Sequence, residues 1–445
     1  MINRLLSLLK NDKLFKQGLT DTNYYFFAQV GSKLIALLII PVIARFLSLE
    51  QFAAYDLFIL SSGFLVLMTG LGMDSGAAVK IVENKNDKET LAGLLTTTLG
   101  ISSALLILLW ITTLVLYWSG VRVYSVSFFF INGLFFYTLI YQYTYNIYNF
   151  VRWMGNAKIA AIINFTASVL GIFGGFMGLL IFEKKLEYYI LGAISGTLIG
   201  AVFSTFNARQ YLKFKRLSKS QFKDLMALSV PYVPTYLSNY LLQFIDRVII
   251  TSTFGLAVLG LYALVNRIGQ VALFSLQIIS SGFRPVIFSN YQSEEGQSLS
   301  RKIYIGFWIS TVPITLLTIL LSGTAIEIIG GNQFLEAKAI LPYIMVSLLY
   351  WGSFYLFGFG FQIKRKTSYV TLITLGVVAL IYILSFPLIK FSGILGVAQA
   401  TFISTMIGAI LYVYFSEKLF SFRYNIKLML LSMAINGVIL LLIEA

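Results

Sequence analysis

ARQYLKFKRLSKSQFKDL, residues 208–225, carries six Lys or Arg in a chain that elsewhere avoids charge. Apolar runs near 23–44, 55–79, 91–117, 125–150, 159–182 and 188–208 lie before it. Runs near 228–251, 257–283, 303–322, 338–362, 368–389 and 393–416 lie after it. A helix needs ~20 mostly apolar residues to cross a hydrocarbon core, and these runs have that length. A last run, 428–443, is shorter. The expected fold is therefore all-α, a polytopic membrane protein with 12 transmembrane helices, or 13 if the last run also crosses. The basic stretch sets the expected divisions. Residues 1–22 read as an amphipathic segment on the cytoplasmic surface and 23–208 as a first six-helix lobe. Residues 209–227 form a basic cytoplasmic linker, 228–416 a second six-helix lobe, and 417–445 a C-terminal segment holding the extra helix.

Composition agrees with this reading. Hydrophobic residues make up 58% of the 445 and charged residues 11%, with a mean hydropathy of +0.83. A soluble domain carries ~25% charged residues. There is no cysteine and no histidine. That excludes disulfides, a thiol nucleophile, a His–Cys zinc site and a histidine base. No Gly-x-x-x-x-Gly-Lys-Ser/Thr loop occurs, which argues against ATP hydrolysis. The first twenty residues have too short an apolar run for a signal peptide and lack a small-residue cleavage site.

Orientation follows from the bias of Lys and Arg toward cytoplasmic loops. With the N-terminus inside, 24 of the 33 basic residues fall on the cytoplasmic side and six outside. The other three, Lys33, Arg247 and Arg267, lie within spans. The same bias accounts for the +15 net charge without a nucleic-acid partner. Six spans before the basic stretch and six after it run in the same sense, the pattern of parallel repeats. Shifting the chain by 207 residues lays VIARFLSLEQFAAYDL (42–57) over IITSTFGLAVLGLYAL (249–264). Leu49/Leu256, Tyr55/Tyr262 and Leu57/Leu264 then match, and the small residues Ala53/Gly260 coincide.

These segments carry a resemblance to a known family. VIARFLSLEQFAAYDLFIL resembles the first outer loop of the Wzx-type flippases for lipid-linked O-antigen and related polysaccharide units. IDRVIITSTFGLAVLGLYAL is similar to the matching Asp-Arg and Gly-x-Tyr segment at the start of their second half. The resemblance implies the multidrug/oligosaccharidyl-lipid/polysaccharide exporter fold. In that fold two six-helix lobes enclose a central cavity and work by alternating access. The thirteenth run departs from the usual twelve.

Charge in mid-bilayer costs roughly 2.5–3.5 kcal/mol, so intramembrane charges usually face a cavity or a partner. Lys33, in the first span, and Arg267, in the eighth, belong to opposite halves and could face each other across a cleft. Two such cations would suit an anionic ligand, and a lipid diphosphate is one; snorkelling or a structural ion pair is the alternative. Arg284 and Arg152 would meet the diphosphate at the inner mouth, or simply obey the positive-inside bias. Asp246 and Arg247 lie near the outer end of the seventh span. Adjacent helical residues point about 100° apart, so each is expected to meet a different neighbour, either as a gate contact or as an interfacial pair. Asp74, near the inner end of the second span, would couple to an ion gradient or pair with a base such as Lys80.

Two spans carry polar-aromatic stripes at helical spacing. The fourth has Tyr137, Tyr141, Tyr145 and Tyr148, flanked by Gln142, Asn146 and Asn149. The seventh has Tyr236, Tyr240 and Gln243, with Asn239 beside them, and the eighth adds Gln270. Tyrosine normally gathers at the two interfaces, so a stripe through the full thickness suits a wet path for sugars. Helix–helix packing is the competing account.

The expected function is a flippase moving an undecaprenyl-diphosphate-linked oligosaccharide across the bacterial inner membrane, for O-antigen or other surface polysaccharide. No catalytic residue, metal or cofactor is expected. The expected partners are that lipid-linked oligosaccharide, membrane lipids, and the polysaccharide polymerase and chain-length regulator acting downstream. A multidrug or cation antiporter of the same fold would want buried carboxylates for cationic substrates. A membrane polymerase or glycosyltransferase would want a large extramembrane loop or an acidic metal motif, and no Asp-x-Asp occurs.

Overall fold

The computed structural model describes residues 13–120, 127–213, 215–366 and 368–442. Among these residues there are helices and no strands. Lipid offers a backbone no hydrogen-bond partner, so a spanning segment must satisfy its own N–H and C=O groups, as an α-helix does. The helices are α1 (Lys13–Phe46), α2 (Leu49–Gly70), α3 (Met73–Glu83), α4 (Lys88–Trp118), α5 (Phe128–Trp153), α6 (Ala157–Ile181), α7 (Leu186–Ala208) and α8 (Lys219–Ser229). They continue with α9 (Val233–Phe254), α10 (Leu256–Ser289), α11 (Glu294–Gly330), α12 (Ile340–Phe357), α13 (Phe359–Ile363), α14 (Ser368–Ser392), α15 (Ile394–Leu419) and α16 (Ile426–Leu441). Among the described residues, nine helical stretches are long and apolar enough to cross a membrane. The chain is a multi-pass membrane protein.

The expected spans appear as helices, with four differences, one of them in the run 338–362, which divides at Gly358 into α12 and α13. The N-terminal segment lies outside the described residues up to residue 12, and from Lys13 the chain is already in α1. The run 55–79 is not one helix. It breaks between α2 and α3, where Leu71 and Gly72 take left-handed φ values of 47° and 71°. Packing explains the break: a Cβ on Gly72 would lie 2.3 Å from the Ser229 carbonyl oxygen, so the end of α8 presses on bare backbone. The basic stretch, lastly, leads into a helix of its own, α8. Ser218 caps α8 in a capping box with Gln221.

The chain forms two compact units. The first comprises Met1–Phe46 with Leu57–Tyr236, the second Leu47–Asp56 with Leu237–Ala445. In the first, α6 and α7 pack through glycines at helical spacing. A Cβ on Gly196 would meet the Leu170 carbonyl oxygen at 1.9 Å, and one on Gly192 the Gly174 oxygen at 2.1 Å. Small residues let two backbones approach in lipid, where no hydrophobic effect drives helices together. A second core of the unit gathers Met73, Leu94, Ile147, Phe150 and Leu225.

In the second unit, α16 is docked by polar pegs. Asn436 donates to the Thr311 hydroxyl at 3.0 Å and to the Tyr350 hydroxyl at 3.2 Å, and Ser432 lies 2.7 Å from Thr311. The loop before it is held by Tyr424, stacked on Tyr304 with centroids 4.5 Å apart and 2.6 Å from the Ser300 hydroxyl. The short last run therefore forms a helix built into the unit.

Candidate functional site

Four charges meet inside the second unit. Asp56 enters from α2, Asp246 and Arg247 from α9, and Arg267 from α10. Arg247 Nε donates to Asp56 Oδ2 at 3.3 Å, and Arg247 Nη1 donates to both oxygens of Asp246 at 2.9 Å. Arg267 takes the other Asp56 oxygen, with Nε at 3.0 Å and Nη2 at 2.8 Å. Two acids and two bases sum to zero. Asp56 is 1% exposed, Arg247 3% and Asp246 5%. Charges this buried are tolerable only when paired, because desolvation costs several kcal/mol per ion.

Two expectations change here. Asp246 and Arg247 are adjacent yet pair with one another, while Arg247 also meets a different neighbour, Asp56, as expected. The 100° rule describes where Cβ atoms point, and the long arginine side chain curls back past it. Arg267 is not a lone cation, because Asp56 holds it. Asp56 was the residue missed. Its sequence signal was slight: an acid at the very start of the 55–79 run, inside a stretch already matched to the second half.

The matched segments also meet. Tyr55 lies under Arg267, 5.6 Å from ring centroid to guanidinium carbon, and its counterpart Tyr262 lies 5.8 Å from Arg247. Both are within cation–π range. A Cβ on Gly260 would be 2.2 Å from the Leu49 carbonyl oxygen, so the first turns of α2 and α10 touch backbone to backbone. Phe52 packs edge-on against Phe334, and Gln333 donates to the Leu47 carbonyl.

The first unit holds a different cluster. Asp74, in the first turn of α3, accepts from the Tyr145 hydroxyl at 3.3 Å and the Tyr236 hydroxyl at 3.1 Å. Ser75 lies 2.7 Å from that second hydroxyl. Three residues singled out separately, on three different helices, thus converge. Lys80 pairs with Glu83 at 3.1 Å instead of with Asp74. Among the described residues Asp74 has no ion-pair partner.

Along α5 the tyrosines form a ladder. Centroids are 6.0 Å apart for Tyr137–Tyr141, 6.5 Å for Tyr141–Tyr145 and 6.5 Å for Tyr145–Tyr148. The three upper rings are half-buried and Tyr148 is buried. The flanking amides turn the other way, into the unit: Gln142 donates to Thr69 at 2.7 Å and Asn146 to Ser102 at 3.0 Å. On α9, Asn239 and Tyr240 are half-buried, and Gln243 is exposed with its amide 3.5 Å from the Asn239 carbonyl. Gln270 is half-buried on α10. Lys33 is an exposed residue of α1. Arg152 lies over the Trp153 ring at 4.7 Å and Arg284 over Phe288 at 6.0 Å.

Known proteins resemble this chain in sequence and fold. The sequence model of a family described as "Polysaccharide biosynthesis protein" matches residues 19–291. "Capsular polysaccharide biosynthesis protein CapF" of Staphylococcus aureus is 26% identical over 205 residues, 45% of this chain. The match spans about half of that relative, 52% of its length. "Lsg locus putative protein 1" of Haemophilus influenzae is 24% identical over 406 residues, 86% of this chain and 95% of that one. Among solved structures, "Lipid II flippase MurJ, inward closed conformation" superposes with a TM-score of 0.71 at 18% identity, covering 94% of this chain and 92% of that one. An inward-facing multidrug resistance transporter of the MATE family gives 0.70 at 18% identity, covering 88% and 95%. At such identities the likeness establishes a shared fold.

Proposed function

The chain belongs to the polysaccharide biosynthesis protein family, and on that premise we propose that it is a flippase for a lipid-linked oligosaccharide. The cargo is a repeat unit on undecaprenyl diphosphate, carried from the inner to the outer leaflet of the bacterial inner membrane by alternating access. The N-terminus lies in the cytoplasm. The flipped unit serves O-antigen or another surface polysaccharide, and the polymerase and chain-length regulator consume it.

The tyrosine ladder of α5 is the observation that carries this reading. Three half-buried rings in register offer successive flat apolar faces with hydroxyls at their edges. A sugar ring has the same two-sided character, apolar C–H faces and polar rims, and aromatic side chains combine an apolar body with a polar tip. Tyr236 extends the polar rim through Asp74. Lys33, Arg152 and Arg284 are the bases assigned to the diphosphate. Arg267 joins them only in competition with Asp56, since a diphosphate there must share a guanidinium with a carboxylate 2.8 Å away. Asp246 and Arg247 act with that pair as a gate contact.

The test uses the purified chain in liposomes with a fluorescent undecaprenyl-diphosphate oligosaccharide, its outer-leaflet fraction read by a membrane-impermeant quencher or sugar-modifying enzyme. Protein-dependent equilibration of the label between leaflets is expected. The proposal fails if equilibration matches that of protein-free liposomes while an export assay with a cationic dye shows activity.

A further inference from the structure

The proposed transport path makes no use of the basic strap between α7 and α9. Six bases and no acid occupy residues 209–223. The helix before it, α7, is long and apolar enough to cross a membrane and ends at Ala208. The strap therefore leaves that helix at the edge of the lipid.

One side of the strap is fixed to the first unit. Leu225 and Ser229 of α8 are fully buried. A Cβ on Gly76 would lie 2.0 Å from the Ser229 hydroxyl oxygen, and one on Gly93 3.0 Å from Leu217. Thr96 donates to the Lys215 carbonyl at 2.6 Å, and Lys215 Nζ reaches Glu89 at 3.0 Å. These contacts decide which side chains are left on the outside.

Lys213, Arg216, Lys219 and Lys223 are all exposed. Among the described residues none of the four pairs with a carboxylate, the neighbouring Asp224 included. Lys219 and Lys223 stand four residues apart on α8, a spacing at which like charges repel. Phe222, Leu228 and Val230 are exposed as well, although large and apolar. Unpaired bases and bare apolar groups are both unfavourable in water. A headgroup layer relieves both, because it offers phosphates to the bases and hydrocarbon to the apolar groups. Position favours lipid over a protein partner, since the strap emerges directly from a membrane-length helix.

We propose that the strap from Lys213 to Val230 is a docking surface for anionic phospholipid headgroups, with Lys219 and Lys223 at its centre. Docking holds this end of the first unit in the headgroup layer. The proposal rests on the membrane fold and not on the cargo.

A single reporter on α8 tests it. Ala227→Cys is exposed and would be the chain's one cysteine, so it can carry an environment-sensitive fluorophore. The labelled full chain is placed in nanodiscs of phosphatidylcholine, with or without phosphatidylglycerol. Phosphatidylglycerol should shift the emission to the blue and protect the label from acrylamide, and high salt should undo both. Titrating short-chain phosphatidylglycerol onto the detergent-purified chain then gives an affinity. An anionic surface adds about fivefold for each Lys or Arg beside it, so Lys219→Gln with Lys223→Gln should weaken binding about 25-fold. Lys364→Gln with Lys366→Gln, in another basic loop, should leave it unchanged. All four side chains are exposed, so both variants should keep the wild-type unfolding temperature. Identical emission in the two kinds of nanodisc overturns the docking surface, as does equal weakening by the two double variants. An equal response to inorganic phosphate would make the ligand a free anion and overturn it too. A label protected in native membranes but in neither nanodisc would assign the strap to a protein partner instead.

Discussion

Asp56 Oδ1 and Arg267 Nη2 lie 2.8 Å apart, although 211 positions separate the two residues in the chain. The contact is buried, and Asp56 gives its second oxygen to Arg247. It ties the first turns of α2 to α9 and α10 within the second unit.

Removing the shared acid should therefore hurt more than removing the outer base. Asp56→Asn leaves Arg267 without its carboxylate, and breaking a buried pair costs about 3–5 kcal/mol. Arg267→Gln should cost less than Asp56→Asn, because Asp56 keeps Arg247. The double variant should fall short of the sum, since both changes act on one contact. Thermal unfolding of the four proteins in detergent measures this. Strict additivity would mean that the two residues do not interact.

Close backbone approach makes a second expectation. Gly196→Ala places a methyl group 1.9 Å from the Leu170 carbonyl oxygen, so α6 and α7 must move apart. Overpacking of this kind costs about 1–3 kcal/mol. Gly437→Ala on α16 meets nothing within 4 Å and should be neutral or slightly stabilising. Yield and unfolding temperature of the two variants should separate clearly.

The ladder predicts a function-specific defect. Tyr141→Leu should lower flipping or polysaccharide export about tenfold, the order of one aromatic stacking contact, with protein level unchanged. Tyr141→Phe keeps the ring and should retain most activity. Leu139→Ile, off the ladder, should behave as wild type. Equal loss of folded protein in all three would assign the ladder to packing.

Orientation can be read by labelling single cysteines, because the chain has none of its own. Lys213→Cys and Lys184→Cys place thiols at two exposed positions in different loops. An impermeant maleimide on intact cells should label the second and spare the first. The reverse pattern would invert the topology.

A pH dependence follows from the cap of α4. The Thr90 hydroxyl, then the Thr90 and Glu89 backbone N–H groups, hold the Asp87 carboxyl below the usual carboxylate range. A carboxyl depressed in the folded state stabilises above its unfolded value and loses that contribution as pH falls through its folded value. Asp87→Ala should thus be less stable than wild type near neutrality, and the gap should close on acidification. A gap that widens toward low pH would contradict the assignment.

Helical class, the positions of the spans and the family resemblance were all legible in the residues themselves. Each depends on a property summed along the chain: some twenty apolar residues in a row, tyrosines at helical spacing, or basic loops between runs. Lipid enforces this, because a segment without water must close its own hydrogen bonds whatever its neighbours do. The matched tyrosines Tyr55 and Tyr262 were visible as well, as a faint echo between the halves. Pairing was a different matter. Asp56 reads as an ordinary charge near a helix end until α2 is rotated and packed so that it meets Arg247 and Arg267. The break at Leu71–Gly72, which sets the start of α3 and so the place of Asp74, required the end of α8 to lie against it. Nor could spacing show that the Asn146 amide would meet Ser102 on another helix. Hydropathy is additive along one helix, whereas a contact between helices depends on the rotation of both. Only the packed structure specifies that rotation.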